Sequence, residues 1–180
     1  MLRDIVRLPN TKVICKPGIK LSALADSIFT DSRYALQQSD LVIIHAGTND
    51  INTCSSTELL GTVQSIVTRY RNECHGHIGF STIIPRPRDG QKLAYKVKIF
   101  NQTLLSWCAL NGCVCLRTHG PFLKGGWPRS QLFNKGLLHL TNRGPSPSGA
   151  YVLKNWFRSE LSEKLLLPRI KDVEAKFFGV

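Results

Sequence analysis

The chain of 180 residues predicts an α/β fold built on an open, parallel, doubly wound sheet, and three observations carry that expectation. Short β-rich apolar runs alternate with stretches of helical periodicity along most of its length. Breaker sequences such as Lys16-Pro17-Gly18, Pro85-Arg86-Pro87 and Asn111-Gly112 separate them. One run, 40–46, passes directly into Gly47-Thr48-Asn49-Asp50. An open sheet presents such a polar turn to a ligand at the carboxyl end of a parallel strand.

The first strand is 11–15, ended by Lys16-Pro17-Gly18. Residues 21–36 repeat apolar side chains at helical spacing, with Leu21, Leu24, Ala25, Ile28 and Phe29 on one face. The strand 40–46 comes next. Ser55 or Ser56 followed by Glu58 has the form of a capping box, and Leu59, Leu60, Val63, Ile66, Val67 and Tyr70 make the stripe of the helix it opens. A third strand spans 77–84. A helix over 93–110 turns Val97, Phe100, Leu104 and Trp107 inward, and Asn111-Gly112 stops it before a fourth strand at 113–116. A Gly- and Pro-rich loop covers 118–148, and a closing helix is expected over 149–167 with Tyr151, Val152, Leu153, Trp156, Phe157 and Leu161. There are no internal repeats.

A chain this long, 42% hydrophobic, is enough for one domain with a sizeable core. Its longest apolar runs, such as 41–44, are far too short to span a bilayer. The first residues lack the apolar stretch of a secretory signal, so an intracellular, cytoplasmic location is expected. Twenty-four Lys and Arg against 12 Asp and Glu leave a formal charge of +12. That surplus favours polyanions such as RNA, although the basic residues are scattered, as on a solvated face. Of six cysteines, Cys15, Cys113 and Cys115 sit in strand-like runs as small hydrophobes. Cys74, His75 and His77 have no second ligand pair at matching spacing, so reduced thiols and no metal or cofactor are expected.

Gly47 lets the chain bend, and the Asn49 amide can donate to a developing oxyanion, although Asn and Asp also form turns on any loop. The backbone N–H of Gly18, at the end of the first strand, can point into the same crevice. His139 comes late, in Gly136-Leu137-Leu138-His139-Leu140. A base for a nucleophile and two oxyanion donors are what acyl transfer needs. Thr48, Asp50 and Trp127 are candidates for the substrate groove, loop-covering contacts being the other reading of Trp127. His45, inside a strand, reads as a packed histidine, and His119 follows a strand end without an assigned role.

These residues resemble the SGNH (GDSL-like) hydrolase family, whose four blocks supply Ser, Gly, Asn and His. Gly47-Thr48-Asn49-Asp50 looks like its third block, Gly18 like its second, and Leu138-His139-Leu140 like the core of its last. Ile83-Ile84-Pro85-Arg86-Pro87, Trp107-Cys108-Ala109-Leu110-Asn111-Gly112 and Pro121-Phe122-Leu123-Lys124-Gly125-Gly126 are similar to SGNH domains of animal retroelement proteins, those of fish especially. The resemblance implies a flavodoxin-like three-layer α/β/α sheet over residues 1–180. It also implies hydrolysis of small acyl esters, with Asn49 and Gly18 as the oxyanion hole and His139 as general base.

Against that pattern the chain departs in four ways. It contains no strand followed by Gly-Asp-Ser, so the nucleophile is absent and residues 1–6 resemble the helix that follows it. Ser22, Ser81 and Ser130 do not replace it. Gly136 stands where the family has an Asp that orients the imidazole, a role worth up to about four orders of magnitude in the serine-protease template. Residues 142–148 look like an insertion of about five residues. Finally, the missing block carries the strand that lies between those ending at Gly18 and Asn49, so an N-terminally truncated domain is expected in which either the flanking strands close the gap or the fold is poorly stable. The implied function is an inactive esterase-like domain. The alternative is a non-catalytic basic module that binds RNA or a protein partner.

Overall fold

The computed structural model describes residues 11–31, 36, 41–136, 139–141, 147–165 and 175–179. The helix start read at 1–6, Asp40, Leu138 and most of the 142–148 insertion lie outside them. The element order is β1 (Thr11–Cys15), α1 (Leu21–Thr30), β2 (Leu41–His45), α2 (Ser56–Glu73), β3 (His77–Ser81), α3 (Gly90–Leu110), β4 (Val114–Leu116), β5 (Leu123–Lys124), β6 (Trp127–Pro128), α4 (Gly149–Leu165) and β7 (Ala175–Gly179). Five strands form one parallel sheet in the order β1-β7-β2-β3-β4.

β2 is buried along its whole length and alternates between two cores. Val42 and Ile44 join the apolar stripes of α1, α2 and α3: Leu24 and Ile28, Val63 and Tyr70, Phe100 and Leu104. Leu41 and Ile43 face the opposite side, where Leu153, Phe157 and Leu161 of α4 pack with Phe122, Leu132 and Phe133. Helices thus cover both faces of the sheet, the architecture its sequence pattern predicts.

Local chemistry sets the helix ends. Ser55 caps α2 as expected: its Oγ accepts from Glu58 N at 3.1 Å, and Glu58 Oε2 accepts from Ser55 N at 2.6 Å. α1 stops at Thr30, six residues short of the expected end. Its burying face is complete at Ile28, and the Thr30 hydroxyl turns back onto the Asp26 carbonyl at 3.1 Å. α3 begins at Gly90, before Leu93, behind a turn that the Arg86–Asp89 ion pair closes at 2.7 Å. Arg86 is therefore half-buried and paired, whereas the exposed Arg88 faces solvent.

The central slot is the main departure from expectation. β7 fills it, running parallel to both flanking strands. Val13, Phe177 and Ile43 stand level across the three strands, as do Cys15, Gly179 and His45. Two strands lacking a common neighbour present unpaired N–H and C=O groups to each other, and a short extended segment that reaches them is held by two ladders at once. Here that segment comes from the C-terminal side of α4.

Candidate active site

The turns after β1 and β2 meet at the carboxyl end of the sheet. Gly18 has φ 73°, a left-handed backbone that lets Lys16-Pro17-Gly18 reverse direction and lead into α1. Gly47 has φ 102°, and a Cβ there would stand 3.0 Å from Ile83 Cδ1. Both the conformation and the packing therefore favour glycine. Behind it, Asp50 N and Ile51 N both donate to Gly47 O at 3.1 Å, which winds the Thr48-Asn49-Asp50 segment into a compact turn.

A side chain ties the two turns together. Asn49 Nδ2 donates to Ile19 O at 3.3 Å, next to Gly18. Its second N–H is left for another acceptor, and Gly18 N makes no hydrogen bond among the described residues. That hydrogen bond brings the turns after β1 and β2 together at the carboxyl end of the sheet. Asp50 has a different place. It is buried, and both its carboxylate oxygens accept from Leu21 N, at 3.2 and 3.0 Å, anchoring the first turn of α1. Thr48 is half-buried beside it.

Underneath lies a residue that the sequence reading passed over. Asn101 is buried in α3 and clamps the exit of β3: its Oδ1 accepts from Ile83 N and its Nδ2 donates to Ile83 O, both at 2.8 Å. Ile83 in turn is the side chain against Gly47. Asn101 thus supports the Gly47 turn at one remove. An amide set among Val97, Phe100 and Leu104 was the only signal, since a buried polar group in an apolar stripe must have partners. We predict that Asn101→Ala destabilises the fold by about 2–4 kcal/mol, because two buried backbone groups lose their partners. A shift in the urea midpoint at unchanged m-value would check it.

His139 sits on a separate clasp. Asn134 N donates to His139 O at 2.7 Å, His139 N to Asn134 Oδ1 at 3.4 Å, and Phe133 and Leu140 form an antiparallel bridge. Thr141 then joins the clasp to α4: Gly149 N donates to its Oγ1 at 2.7 Å and Ala150 N to its carbonyl at 2.9 Å. The imidazole is exposed, and no hydrogen bond joins it to Asn49 or Gly18 among the described residues. Gly136 is exposed on the same clasp, with room for a side chain beside Asn134 Oδ1 at 3.5 Å.

Two further histidines have defined environments. His45 is buried with its Nδ1 against Ser81 Oγ and its ring edge-on to Phe157, centroids 5.7 Å apart. Burial pushes its pKa down to about 4, so it is neutral at pH 7. With Ser81 only 2% exposed, this serine–histidine pair is closed to substrate and is a packing contact. His119, after β4, places Nδ1 2.8 Å from Thr82 Oγ1. Desolvation first and Arg117 second lower its pKa. Trp127 is 54% exposed and lines a groove of about 410 Å³ with Tyr95 and His119, on the α3 side of the β3 and β4 ends. Among the described residues no helix is long and apolar enough to cross a membrane.

A parallel α/β sheet with this turn at the end of an inner strand has the architecture of the three-layer acyl hydrolases. The chain belongs to the GDSL-like Lipase/Acylhydrolase family, whose sequence profile matches residues 8–145. Among curated proteins none matches it by sequence. Solved structures share its fold at low identity. A GDSL-like lipase of Bacteroides thetaiotaomicron superposes with TM-score 0.66 at 16% identity, covering 82% of this chain and 73% of the other. The lipase/acylhydrolase of Enterococcus faecalis gives 0.63 at 12%, covering 82% and 72%. The esterase EstA of a Pseudoalteromonas species, solved as inhibited by monoethylphosphonate, gives 0.61 at 12%, covering 83% and 74%.

Proposed function

We propose that this chain carries the oxyanion-binding part of an acyl-ester hydrolase site. In this reading Asn49 Nδ2 and Gly18 N–H receive the oxyanion of a small acyl ester, and His139 is the general base. The hydrogen bond from Asn49 to Ile19 O supports it most directly, because it couples the two donor turns across 30 residues of sequence. The 180 residues contain no Gly-Asp-Ser, and Gly136 offers the imidazole no carboxylate. Without an attacking hydroxyl the oxyanion never forms, so we propose that these residues alone do not turn over ester. Hydrolysis of p-nitrophenyl acetate and butyrate by the parent and by His139→Ala is expected to be equal and at background. A rate that requires His139 would overturn the inactive reading.

A second reading, a non-catalytic basic interaction module of a retroelement-derived protein that binds RNA or a protein partner, is favoured by the formal charge of +12. Charge alone names neither a surface nor a ligand.

A further inference from the structure

From Gly90 to Ser159 the chain has no Asp or Glu at all, against ten Lys and Arg. That acid-free stretch builds both walls of the Trp127 groove. Tyr95, Gln91, Lys98 and Gln102 come from α3, and Trp127 comes from the β5–β6 hairpin that Gly125 and Gly126 turn. Lys92, Lys98 and Lys124 are exposed on or next to these walls in sequence. The nearest acid in sequence, Asp89, is held by Arg86 at 2.7 and 3.0 Å, so it does not offset their charge.

Two large aromatics on the groove walls are left open to solvent, Tyr95 at 65% and Trp127 at 54%. An aromatic face exposed beside lysines that make no ion pair among the described residues is poorly suited to an apolar core contact. It suits a flat ring attached to an anionic backbone, which stacks on the aromatic while the ammonium groups meet the phosphates. The carboxamides of Gln91 and Gln102 add donors and acceptors at the rim, able to bond the edge of any base. A volume of about 410 Å³ admits one nucleoside, while a duplex keeps its bases stacked and presents no face to Trp127.

We propose that the groove between α3 and the β5–β6 hairpin binds single-stranded nucleic acid, with Tyr95 and Trp127 as its stacking platforms. This gives the basic-module reading a site. Asn49, Gly18 and His139 do not line it, so its failure leaves the oxyanion donors and the base untouched, although Trp127 is also the substrate-groove candidate.

The test is fluorescence anisotropy of a labelled oligouridylate and a labelled oligothymidylate of about 12 nucleotides against the full chain. Binding in the low micromolar range or tighter is expected at about 100 mM KCl, weakening about sevenfold from about 50 to about 200 mM if two phosphates are neutralised. Trp127→Ala and Tyr95→Ala should each weaken it at least about fivefold, and Trp127→Phe should recover part of the loss. Both side chains are exposed, so the variants keep the parent's circular dichroism. Tighter binding of the uridylate, or of the thymidylate, identifies the source of the strand and supports the site in either case. No binding at about 100 mM KCl would overturn it, as would alanine variants that bind like the parent. Equal displacement by duplex DNA or by poly-glutamate would leave charge without a stacking site and would also overturn it.

Discussion

Phe177→Pro should lower the stability of the fold by roughly 2–5 kcal/mol. Phe177 lies in the middle of β7, level with Val13 of β1 and Ile43 of β2. An inner parallel strand gives its amides and carbonyls to neighbours on both sides. Proline removes one donor and pushes its ring toward the adjoining strand, which is why it is excluded from such positions. Losing the strand altogether would expose the facing edges of β1 and β2. Those two strands lead into Gly18 and Asn49, so the same change should loosen the hydrogen bond from Asn49 to Ile19 O. Urea unfolding of parent and variant tests the energy. Hydrogen exchange tests the structure, because amides 175–179 should be as slow as those of β2 in the parent. An unchanged urea midpoint together with fast exchange at 175–179 would show that β7 does not occupy the slot.

That strand also marks the limit of what could be read in advance. β1 to β4 and their helices were legible because each repeats apolar residues at the period of its own geometry and is closed by Gly, Pro or a capping residue. Ala175-Lys176-Phe177-Phe178-Gly179 has no regular alternation of apolar and polar residues. It is a strand because two open edges accept it, a cause that lies elsewhere in the chain. The β5–β6 hairpin differs, since Lys124-Gly125-Gly126-Trp127 carries its two-glycine turn signal in the sequence itself.

The site divides in the same way. Gly47-Thr48-Asn49-Asp50 announced itself by composition, and Gly18 by its place after a strand. The coupling of Asn49 to Ile19, the anchoring of Leu21 by Asp50 and the clamp of Asn101 on Ile83 join residues 18 to 30 positions apart, which no local pattern encodes. His139 is legible only by its place in a block, and its backbone is held by residues 132–134 and 139–141 against the first turn of α4.

Acidification should weaken the protein well above the pH at which its carboxylates protonate, and His45 is the cause. In the unfolded chain a histidine titrates near 6.5, whereas burial holds His45 at about 4 in the fold. Above about pH 6.5 it is neutral in both states and its contribution is constant. Between about 6.5 and 4 the unfolded chain binds a proton that the folded chain refuses, so stability falls as pH falls, by up to roughly 3 kcal/mol across the window. His119 is shifted the same way by desolvation and Arg117, and adds to the slope. Glu58, whose pKa is lowered by its bonds to Ser55, loses its contribution only at lower pH, as its carboxylate protonates. Urea midpoints at about pH 7.5 and pH 5 therefore separate the histidines from the acids. His45→Gln has no proton to gain and should flatten the profile by about 2 kcal/mol over that interval, whatever it costs at pH 7.5. If parent and variant lose stability in parallel, the ring is not held neutral between Ser81 and Phe157, and the slope belongs to other groups.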